Sequence, residues 1–416
     1  IKLRKTVSAT AVKRQRSWLN SFARASSSTM TNSPLQLDVS LPPLSLYIHI
    51  PWCVRKCPYC DFNSHAAGPE IPEQAYIQRL IADLQQDQHW AQGRKLTSIF
   101  FGGGTPSLFS AAGIGQIVSA AEKIIGFSED IEITLEANPG TFEQEKFSGF
   151  RSAGINRLSI GIQSFNQSHL EKLGRIHNGD QALLAISTAR KAGFENFNLD
   201  LMHGLSGQTL AEATADIQQA IEQGANHISW YQLTIEPNTE FYSRPPQLPE
   251  DDILADIQHA GMGLLESHGY GQYEVSAFAQ PGQRSQHNIN YWQFGDYLGI
   301  GAGAHGKITL PAEHKIIRSN KTRQPENYLS RELATLAQQK PIPSKELAME
   351  FMMNGLRLRE GVPANYFPER TGLSDSSIEQ KVRKLQSQGL LEVDSQQFRA
   401  TPLGYQFLNS LLQGFS

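Results

Sequence analysis

Between residues 44 and 234 the chain alternates short apolar runs with longer stretches in which apolar residues recur every three or four positions. The runs at 45–50, 97–101, 131–136, 157–162, 196–202 and 227–234 predict strands. Several of them, such as Ser-Ile-Phe-Phe and Leu-Ser-Ile-Gly-Ile, show little polar alternation, the pattern of strands covered on both faces. The stretches at 73–88, 111–125, 144–153, 181–192 and 210–223 predict amphipathic helices between them. Repeated strand–helix units imply an α/β fold with a parallel sheet and right-handed crossovers. The polar residues then decide between two sheet types. Gly102, Gly103, Gly104 and Thr105 follow the second run, Glu136 ends the third, Gln163 follows the fourth and Asp200 lies late in the fifth. Chemistry gathered at the same end of successive strands is the habit of parallel barrels, so a curved, partial (β/α)6 barrel is expected over a flat doubly wound sheet.

Past residue 239 the pattern loosens. A Pro-rich connection at 243–250 leads to a helix at 253–268 and an apolar, aromatic run at 270–278. The Gly-rich stretch at 299–306 partly matches a dinucleotide fingerprint. No helix or acidic ribose ligand follows at the required distance, so a tight loop or close backbone packing is the expected use. After Pro341 and Pro343, helices at 346–358 and 376–389, a hairpin at 390–401 and a helix at 403–412 suggest a small α+β unit like a winged helix. Its second helix sets Lys381, Arg383 and Lys384 against Asp375 and Glu379, which favours a packing or lid role over DNA binding. The expected division is an N-terminal extension at 1–43, a barrel at 44–240, a flanking region at 241–343 and the small unit at 344–416.

Charge and composition narrow the chemistry. The net charge is −3 with 19% charged residues, which gives no basic footprint for nucleic acid. No stretch of 18 apolar residues occurs, so no membrane span is expected. Residues 1–29 carry Lys2, Arg4, Lys5, Lys13, Arg14, Arg16 and Arg24 and no acid. That stretch reads either as an organellar transit peptide or as sequence upstream of a start at Met30, and it is set aside from the fold argument. The remaining chain is expected to be cytoplasmic.

The three cysteines, Cys53, Cys57 and Cys60, fall within eight residues in the spacing C-x3-C-x2-C. A disulfide framework would want an even, dispersed set. Thiolates are the usual protein ligands of iron–sulfur clusters, four to a closed cluster. Three leave one iron of a [4Fe–4S] cluster without a protein ligand. That iron can take the amine and carboxylate of S-adenosylmethionine, and reductive cleavage of the bound sulfonium gives an adenosyl radical. The alternatives are a zinc site completed by His49 or His65, or inert buried thiols.

The segments Tyr-Ile-His-Ile-Pro-Trp-Cys, Phe-Gly-Gly-Gly-Thr-Pro-Ser, Leu-Glu-Ala-Asn-Pro-Gly, Gly-Ile-Gln-Ser-Phe and Asn-Leu-Asp-Leu-Met-His-Gly-Leu together resemble the radical S-adenosylmethionine proteins. Within them, the chain from residue 44 onward resembles the oxygen-independent coproporphyrinogen III oxidase group. The resemblance implies that Tyr47 and Tyr59 contact S-adenosylmethionine near the cluster. Gly103, Gly104 and Thr105 would admit its methionine end, Glu136, Gln163 and Asp200 would bond its amine and ribose, and Arg175 would pair with its carboxylate. The local alternatives are that Arg175 is a solvated helix residue and that Asp200 caps a turn.

One departure separates this chain from the oxidases it resembles. They carry a fourth cysteine two residues after the third, where this chain has Phe62. The segment His287-Asn288-Ile289-Asn290-Tyr291-Trp292 instead resembles the H-N-x-x-Y-W signature of the heme chaperone branch, the HemW proteins. By that resemblance His287, Asn288, Tyr291 and Trp292 would contact heme, His287 as axial ligand and the two rings against the porphyrin face. The bland alternative is a satisfied histidine beside a core aromatic pair. Two functions follow as expectations: a heme chaperone that delivers heme to client heme proteins, or an oxidative decarboxylase of coproporphyrinogen III. Either needs an electron donor for the cluster, and a homodimer is a further expectation. An RNA-modifying radical enzyme is disfavoured by the charge.

Overall fold

The computed structural model describes residues 40–140 and 145–415. The basic stretch at 1–29 and Met30 therefore lie outside the described residues. The six runs form strands β1 (Leu44–Ile50), β2 (Leu96–Gly103), β3 (Phe127–Ala137), β4 (Arg157–Gln163), β5 (Asn196–His203) and β6 (His227–Gln232). They lie side by side in chain order, each parallel to the next. An order that never reverses has no switch point at which a doubly wound sheet would change direction. The sheet winds one way, as the curved barrel requires.

The helices are α1 (Glu73–Asp87), α2 (Ala111–Ile124), α3 (Phe147–Ser152), α4 (Gly179–Lys191) and α5 (Leu210–Glu222). Their starts are set locally. Ser110 accepts the Gly113 amide ahead of α2, and reciprocal capping boxes, Asn178 with Gln181 and Thr209 with Glu212, open α4 and α5. Helix α3 was expected to begin at residue 144, which is outside the described residues. The helices cover a core of Leu46, Ile48, Ile99, Phe101, Ile133, Leu158, Ile160, Leu199 and Ile228, all essentially inaccessible to solvent.

The sheet does not stop at six strands. Beyond β6 come β8 (Ala277–Ala279) and β7 (Gly271–Glu274), antiparallel, after helix α6 (Asp251–Ser267). On the other side β9 (Asp296–Ile300) pairs in parallel with β1, and β10 (His305–Leu310), β11 (Lys315–Lys321) and β12 (Ala337–Pro341) follow antiparallel. The full order is β12-β11-β10-β9-β1-β2-β3-β4-β5-β6-β8-β7. Strands β9 to β11 escaped the hydrophobic pattern because they carry charge inward, and β12 because its Ala-Gln-Gln-Lys-Pro run is polar and exposed. Asp296 accepts from Arg94, Lys307 Nζ and the Thr309 hydroxyl and amide at 2.8–2.9 Å. Lys321 is buried between Asp83 and Asp87. Those pairings are what make buried charge tolerable.

The Gly-rich stretch turns between β9 and β10 and no helix follows it. A Cβ on Gly301 (φ 101°) would lie 2.3 Å from the His49 carbonyl oxygen. One on Gly303 would lie 2.3 Å from the Asn63 amide. Close backbone packing, not phosphate binding, is the use the structure shows.

The C-terminal unit contains α8 (Ser344–Gly355), α9 (Tyr366–Thr371), α10 (Glu379–Ser387) and α11 (Leu408–Gln413), with a short ladder of Val362–Pro363 against Gln397–Phe398. Helix α9 was missed: it is six residues long, carries Pro368 and ends at Gly372, so it offers almost no period. Phe351, Phe367, Leu385 and Leu411 share one apolar cluster with Tyr273, Phe294 and Ile316, so this unit is seated on the barrel's flanking strands. No helix among the described residues is long and apolar enough to cross a membrane.

Candidate functional site

The cysteines lie on the loop that follows β1, at the C-terminal end of the parallel strands. Trp52–Cys53 pairs in parallel with His65–Ala66, and the His65 amide donates to the Pro51 carbonyl at 2.7 Å. Asn63 anchors the loop by donating to the carbonyls of Ala302 and Arg323 at 2.9 and 2.8 Å. The three thiols are free and half-buried. Thr105, Arg175 and Ser64 are the polar groups nearest them. Burial pushes the Cys53 thiol up to about 11, and a hydrogen bond with Thr105 opposes that rise. Cys57 Sγ lies 3.7 Å from Arg175 Nη1, and Cys60 Sγ lies 3.7 Å from the Ser64 hydroxyl. Phe62 is 55% exposed.

Three thiols on one loop suit the thiolate set of an iron–sulfur cluster. Of the two histidines that could complete a zinc site, His49 holds the Asn63 carbonyl at 2.9 Å through Nε2 and meets the Tyr47 hydroxyl at 3.0 Å through Nδ1, and burial holds its pKa down to about 4. His65 keeps its Nε2 buried without a partner among the described residues. A four-iron cluster asks for less crowding, since each thiolate serves its own iron.

Next to the loop stands a ring of polar groups on the strand ends. Arg175 lies between the short helix Gln167–Lys172 and α4, not on a solvated helix face. Its Nη2 donates to the Gly161 carbonyl at 2.7 Å and to Asn138 Oδ1 at 2.6 Å. Its Nε is buried without a partner among the described residues. Asn138 donates in turn to Thr105 Oγ1 at 2.9 Å, tying β2's end to Arg175. Tyr59 lies beside Arg175 and Cys57, with Phe241 6.3 Å away ring to ring. Gln163 has φ 69°, a conformation uncommon outside glycine, and accepts from the Tyr231 hydroxyl at 2.7 Å.

Deeper in the lumen, Glu136 Oε2 accepts the Gly103 amide at 3.2 Å. Burial, then the nearby Asp200, push the Glu136 carboxyl up to about 8. Burial raises Asp200 as well, although Ser159 and Asn198 donate to it at 3.2 and 2.8 Å. Asp200 caps no turn; it lies within β5. The glycines answer first to packing. A Cβ on Gly103 (φ 114°) would strike the His49 ring at 2.5 Å, and one on Gly104 the Trp52 carbonyl at 2.5 Å.

The signature residues at 287–292 form helix α7 (Gln286–Trp292), placed at the opposite end of the same lumen. Glu132, on β3 four residues before Glu136, accepts the Gln286 and His287 amides at 3.1 Å and the Ser285 hydroxyl at 3.3 Å. A carboxylate at a helix N-terminus is favourable, so this clamp is strong. Asn290 donates to Ser45 and to the Asp296 carbonyl at 2.8 and 3.0 Å. The His287 ring stacks on Phe100 at 5.0 Å, lies 6.4 Å from Tyr47 and meets the Ser98 hydroxyl at 3.3 Å. Burial holds its pKa down to about 4, so it is neutral, the form that binds iron. Tyr291 and Trp292 do not join it. They pack edge-on to one another, Tyr291 against Tyr297 and Trp292 beneath the Arg357 guanidinium at 4.4 Å. Between α7 and the strand ends remains a cavity of about 150 Å³, which Asn288 lines together with Phe100, Glu136 and Asp200.

The structure thus gathers Tyr47, Tyr59, Gly103, Thr105, Glu136, Gln163, Arg175 and Asp200 around the cysteine loop and sets His287 below them. The sequence reading passed over Asn138, Tyr231 and Asn63. Asn138 lay inside a quoted motif, Leu-Glu-Ala-Asn-Pro-Gly, and could have been found there. Tyr231 carried no signal beyond a strand pattern.

Residues 47–220 match the radical SAM superfamily model and residues 342–407 the HemN C-terminal domain. The heme chaperone HemW of Haemophilus influenzae is 54% identical over 90% of this chain and 98% of its own length. That of Escherichia coli is 50% identical over 91% and 99%. The solved coproporphyrinogen III oxidase of Escherichia coli, described as a radical SAM enzyme, superposes with a TM-score of 0.76 over 90% of each chain at 21% identity, a likeness of fold.

Proposed function

We propose, from the premise that this chain belongs to the HemW heme chaperone family of radical SAM proteins, that it is a heme chaperone which binds heme on helix α7 and passes it to client heme proteins. Cys53, Cys57 and Cys60 would hold a [4Fe–4S] cluster whose open iron takes S-adenosylmethionine. When bound, the cluster supplies an electron and a Lewis-acidic corner. The chain's own residues set the rest. Arg175, steadied by Asn138, pairs with the ligand carboxylate, and Tyr47 and Tyr59 pack against the bound molecule. Glu136, Gln163 and Asp200 face its amine and ribose. His287 would supply a nitrogen ligand to heme iron once its ring left the Phe100 niche, and Asn288, Tyr291 and Trp292 would meet the porphyrin. An electron-donating partner serves the cluster, and three reduced thiols suit the cytoplasm.

The observation that favours a chaperone over a decarboxylase is Phe62, 55% exposed on the cysteine loop where the oxidases this chain resembles carry a fourth cysteine. The relatives at 54% and 50% identity over nine-tenths of the chain are heme chaperones, which supports the same reading. Anaerobic reconstitution followed by heme titration and a coproporphyrinogen turnover assay tests the reading. It expects a saturable Soret band and no vinyl product. Vinyl product, or no Soret band, would contradict it.

A further inference from the structure

The lumen cavity contains a cation that neither the cluster site nor the heme helix uses. Arg157, on β4, lines it with only 2% of its surface exposed. Its Nε has no hydrogen-bond partner among the described residues. The carboxylate beside it, Glu132, is 3.8 Å from Nε and already accepts the α7 amides and the Ser285 hydroxyl. The other polar walls are committed elsewhere. Ser159 donates to Asp200, Ser229 to Asn198, and both Asn198 amide hydrogens go to Ser159 and Asp200. His227 is held between Asn198 and the Tyr273 hydroxyl. A buried guanidinium with an open face and no full partner is costly. Its planar fork matches one ligand above others, a carboxylate taken two-pronged.

We infer that this cavity is a binding site for a small carboxylate of acetate to propionate size, seated on the Arg157 guanidinium with Asn288 beside it. The volume sets the size. At about 10–15 Å³ of such space per water, about 150 Å³ holds on the order of ten waters. A three-carbon acid fits and a tetrapyrrole does not. The upper wall tolerates the charge because burial raises both Glu136 and Asp200 and holds them toward the neutral form. Two sources share this chemistry: a free small acid, or one propionate arm of a larger ligand reaching in as α7 shifts. The site goes beyond the heme reading and stands without it.

The test titrates [1-13C]propionate, and separately its neutral isostere propionamide, into the full-length protein and follows the carboxyl 13C signal and the binding heat. The expected result is saturable propionate binding, at least about tenfold tighter than propionamide, since a charge-assisted pair contributes more than about 1.4 kcal/mol. Arg157→Gln should remove it and Arg157→Lys should keep part of it. Propionamide binding as tightly as propionate, or propionate binding that survives Arg157→Gln, overturns the inference. The comparison of acid and amide needs no variant, so it decides even if Arg157→Gln fails to fold. Competition by heme but not by its dimethyl ester assigns the site to a propionate arm; absence of competition assigns it to a free acid.

Discussion

The two ends of the barrel treat their polar groups differently. At the cysteine end, Arg175 keeps a buried Nε without a partner among the described residues and three thiols stand free and half-buried. At the far end the motif helix is tied at its start: Glu132 clamps its first amides, Asn290 donates to Ser45, and His287 rests between Phe100 and Ser98, while Asn290 Oδ1 and the Trp292 indole nitrogen are buried without partners among the described residues. The contrast is one of preorganisation. At the cysteine end Arg175 is fixed in advance by Gly161, Asn138 and Cys57. On the proposed function, heme binding at α7 would release the contacts that hold His287, and the affinity would carry that cost.

The largest effect tests whether the ends are separable. Replacing Cys53, Cys57 and Cys60 by serine should abolish iron, sulfide and S-adenosylmethionine binding, while heme still binds. Loss of heme binding as well would show that the lumen works as one site. Next, His287→Ala should weaken heme by about tenfold or more, with S-adenosylmethionine affinity changed less than about twofold; optical and calorimetric titrations read both. A smaller effect is expected from Asn138→Ala. It removes the brace between Thr105 and Arg175, about 1–2 kcal/mol, and should weaken S-adenosylmethionine binding by about five- to thirtyfold without touching heme.

The smallest effect is on stability. Burial and the neighbouring Asp200 push the folded Glu136 carboxyl up to about 8 from the usual 4.5. The folded chain therefore keeps a proton that the unfolded chain has lost between those pH values. That contribution is complete below about 4.5 and is lost as pH rises through 8. Glu136→Gln should erase this dependence and unfold at a temperature higher by roughly 2–4 °C at pH 8.5, read by calorimetry. Equal pH dependence in both proteins would count against a buried, protonated Glu136.

The same contrast explains what could be read in advance. The six parallel strands were legible because each is an apolar run covered on both sides, and the cysteine loop because thiol spacing is a chemical signature. Strands β9 to β11 were hidden by Asp296, Lys307 and Lys321, buried charges that break an apolar pattern and are resolved only by partners elsewhere in the chain, and β12 by its exposed polar sequence. For the site, Arg175 and Glu136 were legible as residue types at strand ends. Asn138, which joins two of them, acts through geometry that spacing does not show. The motif helix was legible as letters, but that His287 would be folded into the lumen while Trp292 sits under Arg357 was not.

The most direct test of the central claim is iron and sulfide content after anaerobic reconstitution, measured on the unaltered chain and on the triple serine variant. The account predicts about four of each per chain in the first and none in the second. Iron and sulfide retained in full without those three thiols would contradict it.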